Sequence, residues 1–329
     1  MKRVGNLFES VISFENLLEA SRLAMKGSGR TNITCRFFFD LEDQILTLQD
    51  ELKENSYRPG PYRYFMIKDP KDRTIAVAPF RDRVVHHAIV RILTPVYEKV
   101  FIHDSYATRP VKGTHAAIKR AHKFLRSSVW YLKTDIEKYF ASVDHEVLVE
   151  LIQRKIKDRE FIDLLGLIIR NGAETGKGIP IGNLTSQFLA NVYLDPLDHY
   201  IKDHLAWKRY VRYMDDMVFF SDSKEMLLEI KKHVEEFLSE RLILRLKPKA
   251  THLNRVSHGL SFLGMRIFPG IIRIRPENLR RGLRRLKQRH REWEQGEISE
   301  ESLAQSAMSI VGHIRYFCPS ISVNLEAGA

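Results

Sequence analysis

Arg212-Tyr213-Met214-Asp215-Asp216-Met217-Val218-Phe219-Phe220 decides how the rest of this 329-residue sequence is read. An apolar, β-prone run is interrupted by two adjacent acids, which predicts a hairpin: strands over 210–213 and 217–221, with Asp215 and Asp216 in the turn. Asp is common in solvated turns. Two neighbouring carboxylates buried among Met, Val and Phe are instead costly unless a cation compensates them. A third acid, Asp135, closes another β-prone run, Trp130-Tyr131-Leu132-Lys133-Thr134, and precedes Ile136 and the aromatic pair Tyr139-Phe140. If these strands lie side by side in one sheet, Asp135 and Asp215 converge at their ends. Such a site suits Mg2+, which accepts a few carboxylates together with phosphates and water. Two ions about 4 Å apart activate a nucleophile and stabilise a leaving oxygen in phosphoryl transfer.

Composition agrees with a polyanionic partner. Lys and Arg number 53 against 41 Asp and Glu, a formal charge of +12, and each phosphate contact releases condensed counterions. Between Arg266 and Arg291 there are ten Lys or Arg and one acid, Glu277. Apolar residues make up 44% and charged residues 29%, a globular composition and not a disordered or fibrous one. No apolar run is long enough to span a membrane, and the N-terminus lacks a signal-like apolar stretch, which points away from secretion. Cys35 and Cys318 are the only cysteines, so no disulfide framework or cysteine zinc site is expected, in keeping with a reducing compartment. The His residues show no metal-ligand spacing.

Working outward, residues 1–56 read as helical, with Leu41, Ile45, Leu48 and Leu52 on one face. Strands at 64–67 and 74–77 flank a charged turn, and a helix follows over 81–97. Helices over 145–170 precede a Gly-rich loop at 176–182 and a helix from Leu184, which Pro196 is expected to kink or end. A helix over 225–240 and strands near 243–246, 260–267 and 271–275 follow. Leu279, Leu283, Leu286, His290 and Trp293 recur at helical spacing among Arg280, Arg281, Arg284, Arg285, Lys287 and Arg291, which predicts a basic helix with an apolar core face. Mixed elements in this order predict an α+β fold with a mainly antiparallel sheet.

Several motifs in one order carry a resemblance. Tyr213-Met214-Asp215-Asp216 resembles the Tyr-x-Asp-Asp box of reverse transcriptases, and Leu132-Lys133-Thr134-Asp135-Ile136-Glu137-Lys138-Tyr139-Phe140 resembles their first carboxylate motif. Lys71-Asp72-Arg73-Thr74-Ile75, Phe80-Arg81-Asp82-Arg83-Val84-Val85, Gly178-Ile179-Pro180-Ile181-Gly182-Asn183-Leu184-Thr185-Ser186-Gln187 and Phe262-Leu263-Gly264 extend the match over about residues 55–275. Where most retroviral and group II intron enzymes have Gln-Gly and Ser-Pro, this sequence has Ile181-Gly182 and Ser186-Gln187. That variant, with the compact length, resembles the reverse transcriptases of diversity-generating retroelements, which copy a template-repeat RNA with errors at adenines into cDNA that replaces a variable region of a target gene.

The resemblance implies a right-hand polymerase: an N-terminal helical extension (1–56), fingers with the start of the palm (57–128), a palm (129–275, with a fingers insertion at about 145–185) and a basic helical thumb (276–329). It implies catalysis by Asp135, Asp215 and Asp216, which with the Ile136 carbonyl hold two Mg2+ ions, Mn2+ being a possible substitute. Lys71 and Arg73 are placed on the incoming triphosphate. Phe140 takes the steric-gate position that excludes a 2′-hydroxyl. Ile181, Gly182 and Gln187 line the pairing-base side of the nucleotide pocket. Lys247 or Lys249 is the candidate acid for pyrophosphate, Phe262, Leu263 and Gly264 form a primer grip, and Arg280, Arg281, Arg284 and Arg285 meet duplex phosphates. Implied partners are template RNA, primer and cDNA, deoxynucleoside triphosphates and a small basic accessory protein, with no membrane, for a cytoplasmic enzyme encoded by a bacterium or a phage. A retron or phage-defence reverse transcriptase, an RNA-directed RNA polymerase and a non-catalytic RNA-binding scaffold remain as alternatives.

Overall fold

The computed structural model describes residues 3–26, 31–68, 72–172 and 175–317. Four helices lead: α1 (Phe8–Ile12), α2 (Phe14–Lys26), α3 (Asn32–Phe39) and α4 (Leu41–Lys53). α4 buries Ile45, Leu48 and Leu52 on the face read from the sequence. An antiparallel ribbon, β1 (Arg63–Ile67) and β2 (Arg73–Val77), follows, with Ile67 opposite Arg73. All five β1 residues are exposed, so the ribbon projects from the body and is anchored at its base by buried Ala76, Ala78 and Tyr62. Helices α5 (Phe80–Tyr97) and α6 (Thr114–Arg126) lead into β3 (Trp130–Thr134), α7 (Tyr139–Ser142), α8 (His145–Lys155), α9 (Arg159–Arg170) and α10 (Leu184–His199). Asp144 caps α8 through the Glu146 and Val147 amides, and Asp158 caps α9. The chain continues through β4 (Tyr210–Tyr213), β5 (Asp216–Ser221), α11 (Lys224–Arg241), β6 (His252–Arg255), β7 (Leu260–Phe262), β8 (Met265–Ile267), β9 (Ile272–Ile274), α12 (Pro276–Glu294) and α13 (Glu300–Phe317).

The central sheet runs β4-β5-β3-β6, with each pair antiparallel. Thr134 faces Met217 and Tyr213 faces Asp216, so the carboxyl end of β3 lies beside the β4–β5 turn. Alternation along the strands gives the sheet two apolar faces. Leu132, Tyr210, Met217 and Phe219 join the large core of α5, α8, α10 and α11. Tyr131, Val211, Val218 and Phe220 pack on α6 and on the β7–β8 hairpin, including Ala117, Phe124, Phe262 and Met265. Each fully buried Phe contributes about 1.5–3 kcal/mol, and burial on both faces explains why β5 reads as an unbroken apolar run after its acids.

Three expectations are corrected. Pro196 does not end α10: burial of Leu194, Leu197 and Ile201 keeps the segment helical to His199, and it widens to a π turn at Tyr200–His204. Residues 243–246 are not a strand. Leu244 and Leu246 are buried alternately, but Ile243 is left-handed (φ 54°) and only Leu246 bridges to Ile136. The strand beside β3 is instead β6, an edge strand whose half-exposed, polar sequence hid it. In α12 only Leu286 is buried; Trp293 is 40% exposed and His290 lies on the same outer side, because Arg289 and Glu292 occupy the side facing α13.

Candidate active site

β3 and the β4–β5 turn bring Asp135 against Asp215. The turn itself is Met214-Asp215, and Asp216 is already the first residue of β5, which starts one position earlier than the sequence suggested. Burial, the repulsion and hydrogen bonding of the Asp135 carboxyl, and the charge of Asp216 hold the Asp215 carboxyl well above the usual carboxylate range. Two half-buried carboxyls meeting in this way are the donor chemistry of a divalent-cation site, so the residues fit such an ion. Asp216 does not complete the pair. Strand alternation turns it to the α6 face, where its Oδ2 lies 3.0 Å from Lys133 Nζ. Among the described residues no three His, Cys, Asp or Glu side chains form a preassembled metal cluster.

Two cations next to these acids were not singled out from the sequence. Lys133 Nζ also donates to the Ser261 carbonyl at 3.0 Å and lies 6.0 Å from the centre of the Phe262 ring, so it links Asp216 to β7. Arg212, immediately upstream of the turn, is fully buried on the opposite face against the equally buried Asp198 of α10. Its Nε donates to both Asp198 oxygens at 2.8 and 3.0 Å, and its Nη1 donates to Asn191 Oδ1 and to the Met214 carbonyl. Asn191 and Asp198, polar residues two helical turns apart on one face of α10, were the sequence signal for such a partner.

The surrounding residues are placed as follows. The chain after β3 pairs with 245–247: Glu137 N donates to Arg245 O, and Lys247 N donates to the Asp135 carbonyl at 2.8 Å. Lys247 is thereby set beside Asp135, whereas Lys249 sits exposed in a 3-10 turn. Ile136 is buried. A left-handed Lys138 (φ 45°) redirects the chain so that Phe140 lies half-buried, edge-on to Tyr139. The Phe140 carbonyl accepts from Ile179 N, which ties the 176–183 loop to this corner. The Ile181 carbonyl in turn accepts from Ala76 N of β2 at 2.8 Å. Gly182 (φ 116°) approaches so closely that a Cβ there would meet Ile75 Cγ2 at 2.7 Å and the Ala76 carbonyl at 2.9 Å. Gln187 Oε1 accepts from Thr108 Oγ1 at 3.4 Å. Arg73 is exposed at the tip of the ribbon; Lys71 lies outside the described residues.

Leu263-Gly264 forms the two-residue β7–β8 turn, with φ of 47° and 86° as such a turn requires, while Phe262 is buried beneath it. The Gly264 carbonyl accepts from Asn278 Nδ2 at 2.8 Å, fastening the start of α12 to this turn. Arg280, Arg284 and Arg285 are exposed on α12; Arg281 is half-buried and donates to Asn278 Oδ1. Among the described residues no helix is long and apolar enough to cross a membrane.

Comparison with known proteins agrees with this arrangement. Protein YkfC of Escherichia coli (strain K12) is 26% identical over 321 residues, spanning 80% of this chain and 83% of that protein. Group II intron-encoded protein LtrA of Lactococcus lactis subsp. cremoris is 31% identical over 170 residues, 49% of this chain but only 28% of LtrA. The structure of apo telomerase from Candida Tropicalis superposes with a TM-score of 0.50 at 11% identity, over 66% of this chain and 49% of that one. Residues 67–267 match the family described as reverse transcriptase (RNA-dependent DNA polymerase). The chain therefore belongs to the reverse transcriptase family and is an RNA-directed DNA polymerase with the right-hand fold.

Proposed function

We propose that this polymerase serves a diversity-generating retroelement, copying template-repeat RNA into adenine-mutagenised cDNA for a target gene. The chemistry rests on one observation, the half-buried meeting of the Asp135 and Asp215 carboxyls where β3 ends beside the β4–β5 turn. Asp135 and Asp215, with Asp216 recruited from Lys133, would hold a divalent cation such as Mg2+, which would supply positive charge to lower the pKa of a primer 3′-hydroxyl and offset charge on departing pyrophosphate. The chain's own residues do the rest. Lys247, anchored at Asp135, is better placed than Lys249 as the acid for pyrophosphate. Phe140 forms the floor that rejects a 2′-hydroxyl. Arg73, with Lys71, meets the triphosphate from the ribbon, and the exposed arginines of α12 hold duplex phosphate. The fingers, palm and thumb divide near residues 57, 129 and 276.

The diversity-generating role is supported by Ile181. It stands where related enzymes carry Gln, and its backbone, not its side chain, makes the fixed contact to β2. An aliphatic side chain at the pairing base offers no hydrogen bonds with which to discriminate a mismatch. The experiment is primer extension on an RNA template with Mg2+ and deoxynucleotides, alone and with a small basic accessory protein. Wild type is compared with Asp215→Asn/Asp216→Asn and Ile181→Gln, and the products are sequenced. DNA lost in the acid variant, with substitutions concentrated opposite template adenines and reduced by Ile181→Gln, is expected. Faithful wild-type product would assign the enzyme to a retron, defence or intron-type role. Product undiminished in the acid variant would refute the site.

A further inference from the structure

The most completely buried charged group in the described chain lies two residues from the catalytic turn and touches none of the reacting groups. Arg212 and Asp198 are each fully buried. A buried ion pair is poor value as a stabiliser, since well-packed apolar residues of the same volume often do as well. Its hydrogen bonds suggest a different use. The guanidinium faces α10 through both Asp198 oxygens and Asn191 Oδ1, and reaches Ser105 Oγ at 3.3 Å. Those partners are themselves held: Asp198 accepts from Tyr210 OH at 2.8 Å, and Asn191 Nδ2 donates to the Ala107 carbonyl at 2.7 Å. One bond leaves this framework, from Nη1 to the Met214 carbonyl at 3.1 Å. Met214 is left-handed (φ 56°), a conformation that costs a non-glycine residue about 1–2 kcal/mol. The next residue is Asp215.

We propose that Arg212 is a positioning residue for polymerisation: its bond to the Met214 carbonyl transmits the rigidity of α10 to the turn and keeps the Asp215 carboxyl aimed at Asp135. The proposal rests on the reading of Asp215 as a cation-holding carboxylate. A lysine at 212 keeps the charge opposite Asp198 but has no planar fork to span Asp198, Asn191 and the Met214 carbonyl together. Arg212→Lys therefore separates the fold from the positioning. The double variant Arg212→Met/Asp198→Leu removes the bond while replacing the pair with apolar volume.

The experiment uses the full chain with an RNA template and DNA primer, and includes Asp215→Asn as a control. For folded Arg212→Lys we expect kcat to fall about 10- to 100-fold, the loss that misplacing a reacting group by about 1 Å gives, with an unchanged KM for deoxynucleotide. Binding of Mn2+ to the nucleic-acid-free protein, followed by loss of the free-ion EPR signal, is expected to weaken in parallel; a purely structural role would leave it unmoved. The double variant is expected to behave likewise. Wild-type kcat in either folded variant, or an effect confined to KM, would overturn the proposal. Failure of both variants to fold would assign the network to stability alone and overturn it equally. Full activity in Asp215→Asn would instead remove the site reading beneath it.

Discussion

Replacing Gly182 by alanine isolates how the exposed ribbon is held over the candidate site. The residue sits at φ 116°, outside the region non-glycine residues occupy readily, and its added Cβ would meet Ile75 Cγ2 at 2.7 Å and the backbone carbonyl of Ala76 at 2.9 Å. The side-chain atom can move, but the carbonyl belongs to the strand that donates Ala76 N to the Ile181 carbonyl, so relief means lifting β2 off the loop. Backbone strain of this kind costs about 1–3 kcal/mol. At 1.4 kcal/mol per factor of ten, a penalty of about 2–3 kcal/mol shifts the docked-to-undocked balance of the ribbon about 30- to 150-fold. Since β1 is exposed along its whole length, the shift is opposed chiefly by the small buried base of Tyr62, Ala76 and Ala78. The expected phenotype is local: faster amide exchange and proteolysis at 63–77, a raised KM for deoxynucleotide because Arg73 is carried away, and a melting temperature close to wild type. A Gly182→Ala enzyme with wild-type KM and an unchanged exchange pattern across the ribbon would refute the reasoning.

Three further outcomes are expected. Burial and the neighbouring Asp198 charge push the Asp195 carboxyl from 3.8 up to about 6, so the folded state binds the extra proton between those values. Stability then falls by about 3 kcal/mol as pH rises through that window; Asp195→Asn is expected to flatten the slope in urea unfolding at pH 4 and 7, and parallel curves would contradict it. Phe140→Ala is expected to lower discrimination against ribonucleotides by at least about tenfold, the scale of a pocket's steric selectivity, and an unaltered ratio of kcat/KM for the two sugars would remove the gate. Arg280→Gln/Arg284→Gln/Arg285→Gln is expected to reduce the slope of log binding constant against log salt by about 2–3 on an RNA–DNA duplex, whereas an unchanged slope would place the duplex elsewhere.

Much of the architecture was legible because its signals are local. Apolar, β-prone runs broken by acids marked β3 and the β4–β5 hairpin, and helical spacing of leucines marked α4, while the cationic flank of α12 followed from composition along a single helix. Where non-local packing outweighed a local rule, the reading failed. Burial of Leu197 and Ile201 carried a helix past Pro196. A half-exposed edge strand, His252–Arg255, took the place expected for 243–246. His290 and Trp293 face solvent because α13 approaches α12 from the side of Arg289.

The same division runs through the site. By itself the sequence determined which residue types are present and in what order: three carboxylates, an aromatic five residues after the first, a Gly-rich loop and a basic helix. Only the tertiary structure decided that Asp135 meets Asp215 while Asp216 turns to Lys133, that Lys247 and not Lys249 is fastened at Asp135, and that Arg212 reaches the turn from within the core. Each of these depends on strand register and on which face of the sheet a side chain occupies. A shift of one residue exchanges the two faces, and pairing between strands some 80 residues apart is set by the packing of the whole core, not by any segment read alone.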